Sequence, residues 1–363
     1  MKALTIGGAM IDTIAIIESD RIERVSMRNA ETSFLLLEEG RKTESLEVST
    51  HCGGGAVNTA VAMARLGLDV ATLIKLGRDD RAELILARLK AEGISTRWVN
   101  RDGKAPTGAS VLLSSHERNA AVFTFRGANT LLEPADLDVD AFAVDLVYVS
   151  NLSNQSADCY PLIIKKSKAN GALVAVNPGV RQLSARASAF QESLPQVDIL
   201  AINRPEADVM VASLVAKFGE GGQTLALEPG EHPPALVARG LVGGGFEMSL
   251  PAFLGALRKL GAKCVLLTDS RGGAFACADD EILFCPALEA DVAGTAGAGD
   301  AFAATFAAFM ALGRTGGEAL RAATINAASV VAHVDTQTGL MQRGAVEARL
   351  LAAGDPAPRR WPL

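Results

Sequence analysis

The chain has 363 residues, enough for two units or one large α/β unit with an attachment, and its 49% apolar content with 5% aromatics suits a core of small side chains. Its 41 acidic and 35 basic residues leave a net charge of -6 with no basic cluster, which argues against a nucleic-acid partner. No apolar run reaches the roughly 18 to 20 residues that span a bilayer. The five cysteines lack CxxC or Cys/His spacing, so free thiols in a reducing cytoplasm are expected rather than disulfides or a zinc site.

In chain order, the apolar opening MKALTIGGAMIDTIAII is interrupted by Asp12 and followed by no small-residue cleavage site, so it reads as a buried strand over residues 3–7, not as a leader. Asp12 lies beyond that strand, where α/β sheets bring ligands and where a carboxylate accepts two hydroxyl hydrogens; a turn aspartate is the alternative. Further short apolar runs fall at 70–76, 145–150, 173–177, 198–203 and 264–268, and helical spacing at 56–66, 82–92, 251–260, 300–312 and 317–333. Such alternation predicts a mostly parallel sheet covered by helices on both faces. Segments 13–17, 33–37 and 121–125 alternate with period two, predicting a small separate sheet over 13–49 and 107–125, inserted into a main unit of 1–12, 50–106 and 126–363. Residues 218–245, rich in Gly and Pro, read as a surface excursion.

The most informative motif is Gly294-Thr-Ala-Gly-Ala-Gly-Asp300, running into an apolar helix. A glycine turn at a helix start exposes the amides of Gly297, Ala298 and Gly299 to an anion at the positive end of the helix dipole. A carboxylate there suits a base that removes a hydroxyl proton while the amides hold charge on a transferred phosphoryl group; a helix cap is the other reading of Asp300. Near the N-terminus, Gly53-Gly54-Gly55 precedes Asn58, whose amide both donates and accepts, and the glycines permit close approach to the backbone.

These segments resemble the signatures of the PfkB/ribokinase family of carbohydrate and nucleoside kinases. Thr295-Ala-Gly-Ala-Gly-Asp300-Ala-Phe resembles its C-terminal signature, and Gly53-Gly-Gly-Ala-Val-Asn58 its N-terminal one. Gly8-Ala-Met-Ile-Asp12, Gly77-Arg-Asp-Asp80, Thr107-Gly108 and Gly127-Ala-Asn129 follow in the family's order, so the resemblance spans nearly the whole chain. It implies a ribokinase-like three-layer α/β sandwich with a β lid, transfer of phosphate from ATP to a sugar or nucleoside hydroxyl, and Asp300 as base. It also implies acceptor contacts at Asp12, Gly53, Gly54 and Asn58, with the loop at Asn151 setting the substrate. Asn203-Arg-Pro-Glu206 resembles the Asn-x-x-Glu motif that organises Mg2+ through water, with a capped helix as the plainer reading. Thr268, Ser270 and Gly273 stand in the nucleotide loop, and Asn326 matches an asparagine beside the adenine pocket. A homodimer through the lid is implied as well.

Two departures stand out. Gly294 replaces the first Asp of the common signature, which argues against potassium activation, and Ser270 replaces a loop glycine. Residues 218–245 exceed what the family needs and are expected to cover the nucleotide side or an oligomer contact. A free sugar or sugar acid is the first choice of acceptor and a nucleoside the second. The competing classes are a non-catalytic ligand-binding relative and a dinucleotide oxidoreductase; Gly7-Gly8-Ala9-Met10 lacks the GxGxxG spacing of the latter.

Overall fold

Leu4 and Ile6 of the first strand, Lys2–Ile6, enter one apolar layer, while Ala3 enters the other. The neighbouring strand Leu146–Val149 divides likewise, with Val147 and Val149 on one side and Leu146 and Tyr148 on the other. Period-two alternation with both faces apolar requires helices on both sides. One face carries the helices Gly55–Arg65, Asp80–Ala91, Ala298–Ala311 and Gly316–Val331, and the other Tyr160–Ala169, Arg204–Phe218 and Leu250–Lys259. The computed structural model describes residues 1–18, 23–26, 33–36, 40, 42–115, 120–227, 230–352 and 357–363.

The main sheet has nine strands, in the order Arg359–Pro362, Glu281–Cys285, Ala274–Ala278, Cys264–Thr268, Ile199–Asn203, Leu173–Val176, Leu146–Val149, Lys2–Ile6 and Asp69–Leu73. The pairs from Cys264–Thr268 to Asp69–Leu73 are parallel, and the other edge is antiparallel. The parallel part agrees with the expected strands. The antiparallel edge was not anticipated, because its connection is a tight turn at Asp279 and Asp280, both at positive φ, rather than a helix.

The small sheet is built from Ala120–Phe125, Gly108–Ser115, Met10–Ile17 and Glu47–Gly53 in that order. It therefore begins three residues before the expected position 13, and Asp12 belongs to the small sheet rather than to the end of the first main-sheet strand, which stops at Ile6. Asn129 pins the crossing point, its side chain accepting from the Ala9 amide at 2.9 Å and donating to the Ala9 carbonyl at 2.8 Å. Ser33–Leu36 pairs only with Glu23–Ser26 in a separate ribbon, and Leu37 lies outside the described residues.

Residues 218–245 are not simply a surface excursion. Leu225, Leu236 and Leu241 are buried in the core layer that contains the helices Arg204–Phe218 and Leu250–Lys259. Short apolar contacts separated by glycines carry no periodicity, so sequence spacing did not reveal this packing. A cavity of about 520 Å³ opens beside the segment, lined by Phe218, Gly255 and Arg258 among others. It lies near the starts of the parallel strands, away from the ends that carry the residues described next.

Candidate active site

The left-handed Gly297, at φ 78°, starts the helix Ala298–Ala311. A Cβ at Gly297 would lie 2.6 Å from the Thr336 Cβ, so both conformation and space require glycine. Gly297, not Asp300, is the N-cap, which removes the capping explanation for Asp300. Amides in a first helical turn have no intrahelical carbonyl to meet. A Cβ built at Gly299 has nothing within 4 Å, so this turn borders open space.

Asp300 instead meets Asn58, whose Nδ2 donates to Oδ2 at 2.8 Å. Asn58 Oδ1 accepts from Thr336 Oγ1 at 2.8 Å and Gln337 Nε2 at 3.1 Å. Gln337 also donates to the Cys52 carbonyl and accepts from Arg88 Nε. Asn58 thus holds Asp300 and is itself held by the segment 333–341, to which sequence reasoning assigned no role. The only earlier sign was a cluster of polar residues after an apolar helix. Burial raises the Asp300 pKa, the Asn58 bond lowers it, and the charge of Asp12 raises it again. The two carboxylates, one from each sheet, therefore face a common region.

Asp12 is buried on its lid strand, paired in register with His51 and Ser110. Ser110 Oγ donates to its Oδ1. Burial raises its pKa, opposed by that hydrogen bond and the nearby His51. The glycine run answers crowding within the protein more than access for a ligand. A Cβ at Gly53 would collide with Asp12 Oδ2, one at Gly54 would lie 2.5 Å from the Gly8 carbonyl, and one at Gly55 would lie 2.7 Å from Ser150 Cβ. Asn151 is exposed at the end of Leu146–Val149, close to Gly179.

On the other side, Asn203 and Thr268 are register partners at the ends of adjacent parallel strands. Asn203 and Glu206 form a reciprocal capping box, each side chain accepting from the other's amide at 2.9 Å. The helix-capping reading is therefore present here. It leaves Glu206 buried, and burial first, with the Asp300 charge in support, pushes its pKa up to about 7. After Thr268 the chain turns through Ser270 at φ 49° and Gly273 at φ 93°. Ser270 thus adopts a left-handed conformation natural to glycine. Asp269 is paired with Arg204 and Arg239, the latter from within the 218–245 segment.

Asn326 differs from expectation. Its side chain is fully buried, donating to Thr305 Oγ1 at 2.7 Å and accepting from the Met341 amide at 2.9 Å. It ties two helices and a loop together and offers no exposed face to a nucleotide, because the helix turns that position inward. No group of three or more His, Cys, Asp or Glu among the described residues is placed to hold a metal ion directly.

A family model described as pfkB family carbohydrate kinase matches residues 13–222 and 249–343. The chain belongs to the pfkB family of carbohydrate kinases. It is a phosphotransferase that uses an alcohol group as acceptor. The interval between the matched ranges falls within and just beyond the 218–245 segment. The deoxyribokinase of Salmonella typhi is 25% identical over 331 residues, covering 90% of this chain and 94% of its own. The ribokinase of Bacillus subtilis is 26% identical over 301 residues, covering 81% and 86%. Among solved structures, Arabidopsis thaliana ribokinase complexed with ribose and ATP has a TM-score of 0.70 at 20% identity, covering 97% of this chain and 99% of that one. The nucleoside kinase of Methanocaldococcus jannaschii has a TM-score of 0.68 at 18% identity, covering 96% and 98%. Both share the ribokinase fold with this chain.

Proposed function

We propose that this pfkB-family kinase transfers the γ-phosphate of ATP to a hydroxyl of a small sugar or sugar acid, with Asp300 as general base. The observation that carries this reading is the Asn58–Asp300 hydrogen bond at the start of a helix whose first amides face open space. One carboxylate oxygen is held while the other is left for the acceptor. Asp300 takes the hydroxyl proton as the phosphoryl group passes in line, and the amides of Gly297, Ala298 and Gly299 receive the developing charge. Asp12 and Asn151 orient the acceptor. Gly53 and Gly54 set the backbone against which it lies, and Asn58 acts as a positioning residue for the base.

Asn203, Thr268, Ser270 and Gly273 would flank the phosphates of ATP. Glu206 fits Mg2+ held through water, because its buried carboxylate lacks a compensating cation in its printed surroundings and the described residues form no protein cage that would strip the ion of its hydration. When bound, the ion shields charge on the transferring phosphate. The free thiols suit a reducing cytoplasm.

A homodimer through the lid belongs to the same reading. Ala120–Phe125 is an edge strand, and Val122, Phe123 and Phe125 are at least half exposed at 57%, 60% and 50%. A second copy would cover both the apolar side chains and the free backbone edge.

The test is ADP release from Mg·ATP with neutral sugars, sugar acids, sugar phosphates and nucleosides. Turnover with a sugar class is expected. Turnover confined to nucleosides would replace the acceptor class, and no ADP release with any acceptor despite ATP binding would contradict the reading.

A further inference from the structure

Arg126 and Arg181 reach the acceptor side from different parts of the fold. Arg126 follows the lid strand Ala120–Phe125, and its carbonyl would lie 3.2 Å from a Cβ on Gly108, the register partner of Met10. It therefore stands at the base of the strand that carries Asp12. Arg181 lies in the first turn of Val180–Ala185, which follows the main-sheet strand Leu173–Val176. Gly179, two residues before it, packs against Asn151.

Arg126 is half-buried, and neither guanidinium has a hydrogen bond or ion pair to any described residue. Arg186, only one helical turn beyond Arg181, shows the usual alternative, with two bonds to Asp158 at 2.6 and 3.3 Å. The two unpartnered charges are close enough to act on each other. Burial first, and then the Arg181 charge, lowers the Arg126 pKa. Two like charges set across the junction of lid and main sheet oppose closure unless an anion lies between them. The planar guanidinium fork matches carboxylate and phosphate oxygens.

We infer that the acceptor carries a carboxylate or phosphate remote from the hydroxyl that is phosphorylated, and that Arg126 and Arg181 clamp this anion as the lid closes. This rests on the proposed kinase reading for the identity of the acceptor, but the anion site itself is open to a separate test. Neutralising one arginine removes a charge-assisted contact and should weaken an anionic acceptor by about tenfold or more.

The experiment uses the full chain without ATP, titrated calorimetrically with matched neutral, carboxylate and phosphate forms of a pentose and a hexose. Wild type should bind at least one anionic form about tenfold or more tightly than its neutral match. Arg126→Gln and Arg181→Gln should each lose that preference, and Arg126→Lys, which keeps charge without the fork, should fall between. Arg97→Gln, on an exposed arginine stacked over Trp98, controls for net charge. Unchanged melting temperatures establish that the variants fold. The carboxylate and phosphate arms identify the anion.

Binding without preference for an anionic form, no binding in any set, or preference that survives both glutamine variants would overturn the inference. Efficient, Asp300-dependent phosphorylation of neutral sugars alone would sink it while leaving the kinase reading intact. Anion preference lost in the arginine variants, together with turnover indifferent to Asp300, would do the reverse.

Discussion

Glu206 and Asp300 are carboxylates whose charge the folded protein disfavours, and each has a measurable consequence. Folded Glu206 is pushed up to about 7 from an ordinary 4.5, so between these values the native state keeps a proton that the unfolded chain has released. Stability contributed by this residue therefore falls as pH rises through that window and levels off above it, by roughly 3 kcal/mol at the limit. Glu206→Gln, which keeps an acceptor for the Asn203 amide, should be more stable than wild type at pH 8 and nearly equal near pH 5. Denaturant unfolding at the two pH values checks this, and a pH-independent difference contradicts it. For Asp300 the sign runs through Asn58. Its hydrogen bond lowers a pKa that burial raises, so Asn58→Ala should move the acid limb of the kcat profile to higher pH. A limb that stays in place would show that Asn58 does not tune the base.

At the scale of elements, the site depends on contacts that join distant parts of the chain. The turn from Gly294 to Asp300 was readable because its glycines, its charge and its helix are adjacent in sequence. The clamp on Asn58 was not, because Thr336 is 278 positions away and only the fold brings them together. Asn326 misled for a related reason: its place in the motif order was right, but helix rotation turned the amide inward to Thr305 and Met341. The register of Met10–Ile17 was missed because the apolar opening sequence runs through Gly7 and Gly8 without a break in hydropathy. Asn129 secures that crossover. Asn129→Ala would leave the Ala9 amide and carbonyl without their partner, costing about 1 to 3 kcal/mol for each buried group left unsatisfied. The lid should then be less well seated, and the KM for acceptor should rise while that for ATP changes little. Equal rises in both would assign Asn129 to general stability instead.

Across the whole molecule, the parallel sheet and its helical layers were legible because each buried element repeats a strong apolar period. The 218–245 segment was not, since Leu225, Leu236 and Leu241 reach the core singly from Gly- and Pro-rich connections. Assembly was expected from unpaired strand edges, and the exposed side chains of Ala120–Phe125 now give that expectation a test. Phe123→Glu should convert a dimer into a monomer by sedimentation velocity, and a wild-type monomer at micromolar concentration would contradict lid pairing.

The central claim is that Asp300 serves as the base for phosphoryl transfer. Its most direct test is kcat for wild type and Asp300→Asn with saturating Mg·ATP and the best acceptor, alongside ATP affinity measured separately. The expected result is a fall in kcat of about 10²- to 10⁴-fold with ATP affinity nearly unchanged. Near-normal turnover in the variant would contradict the account.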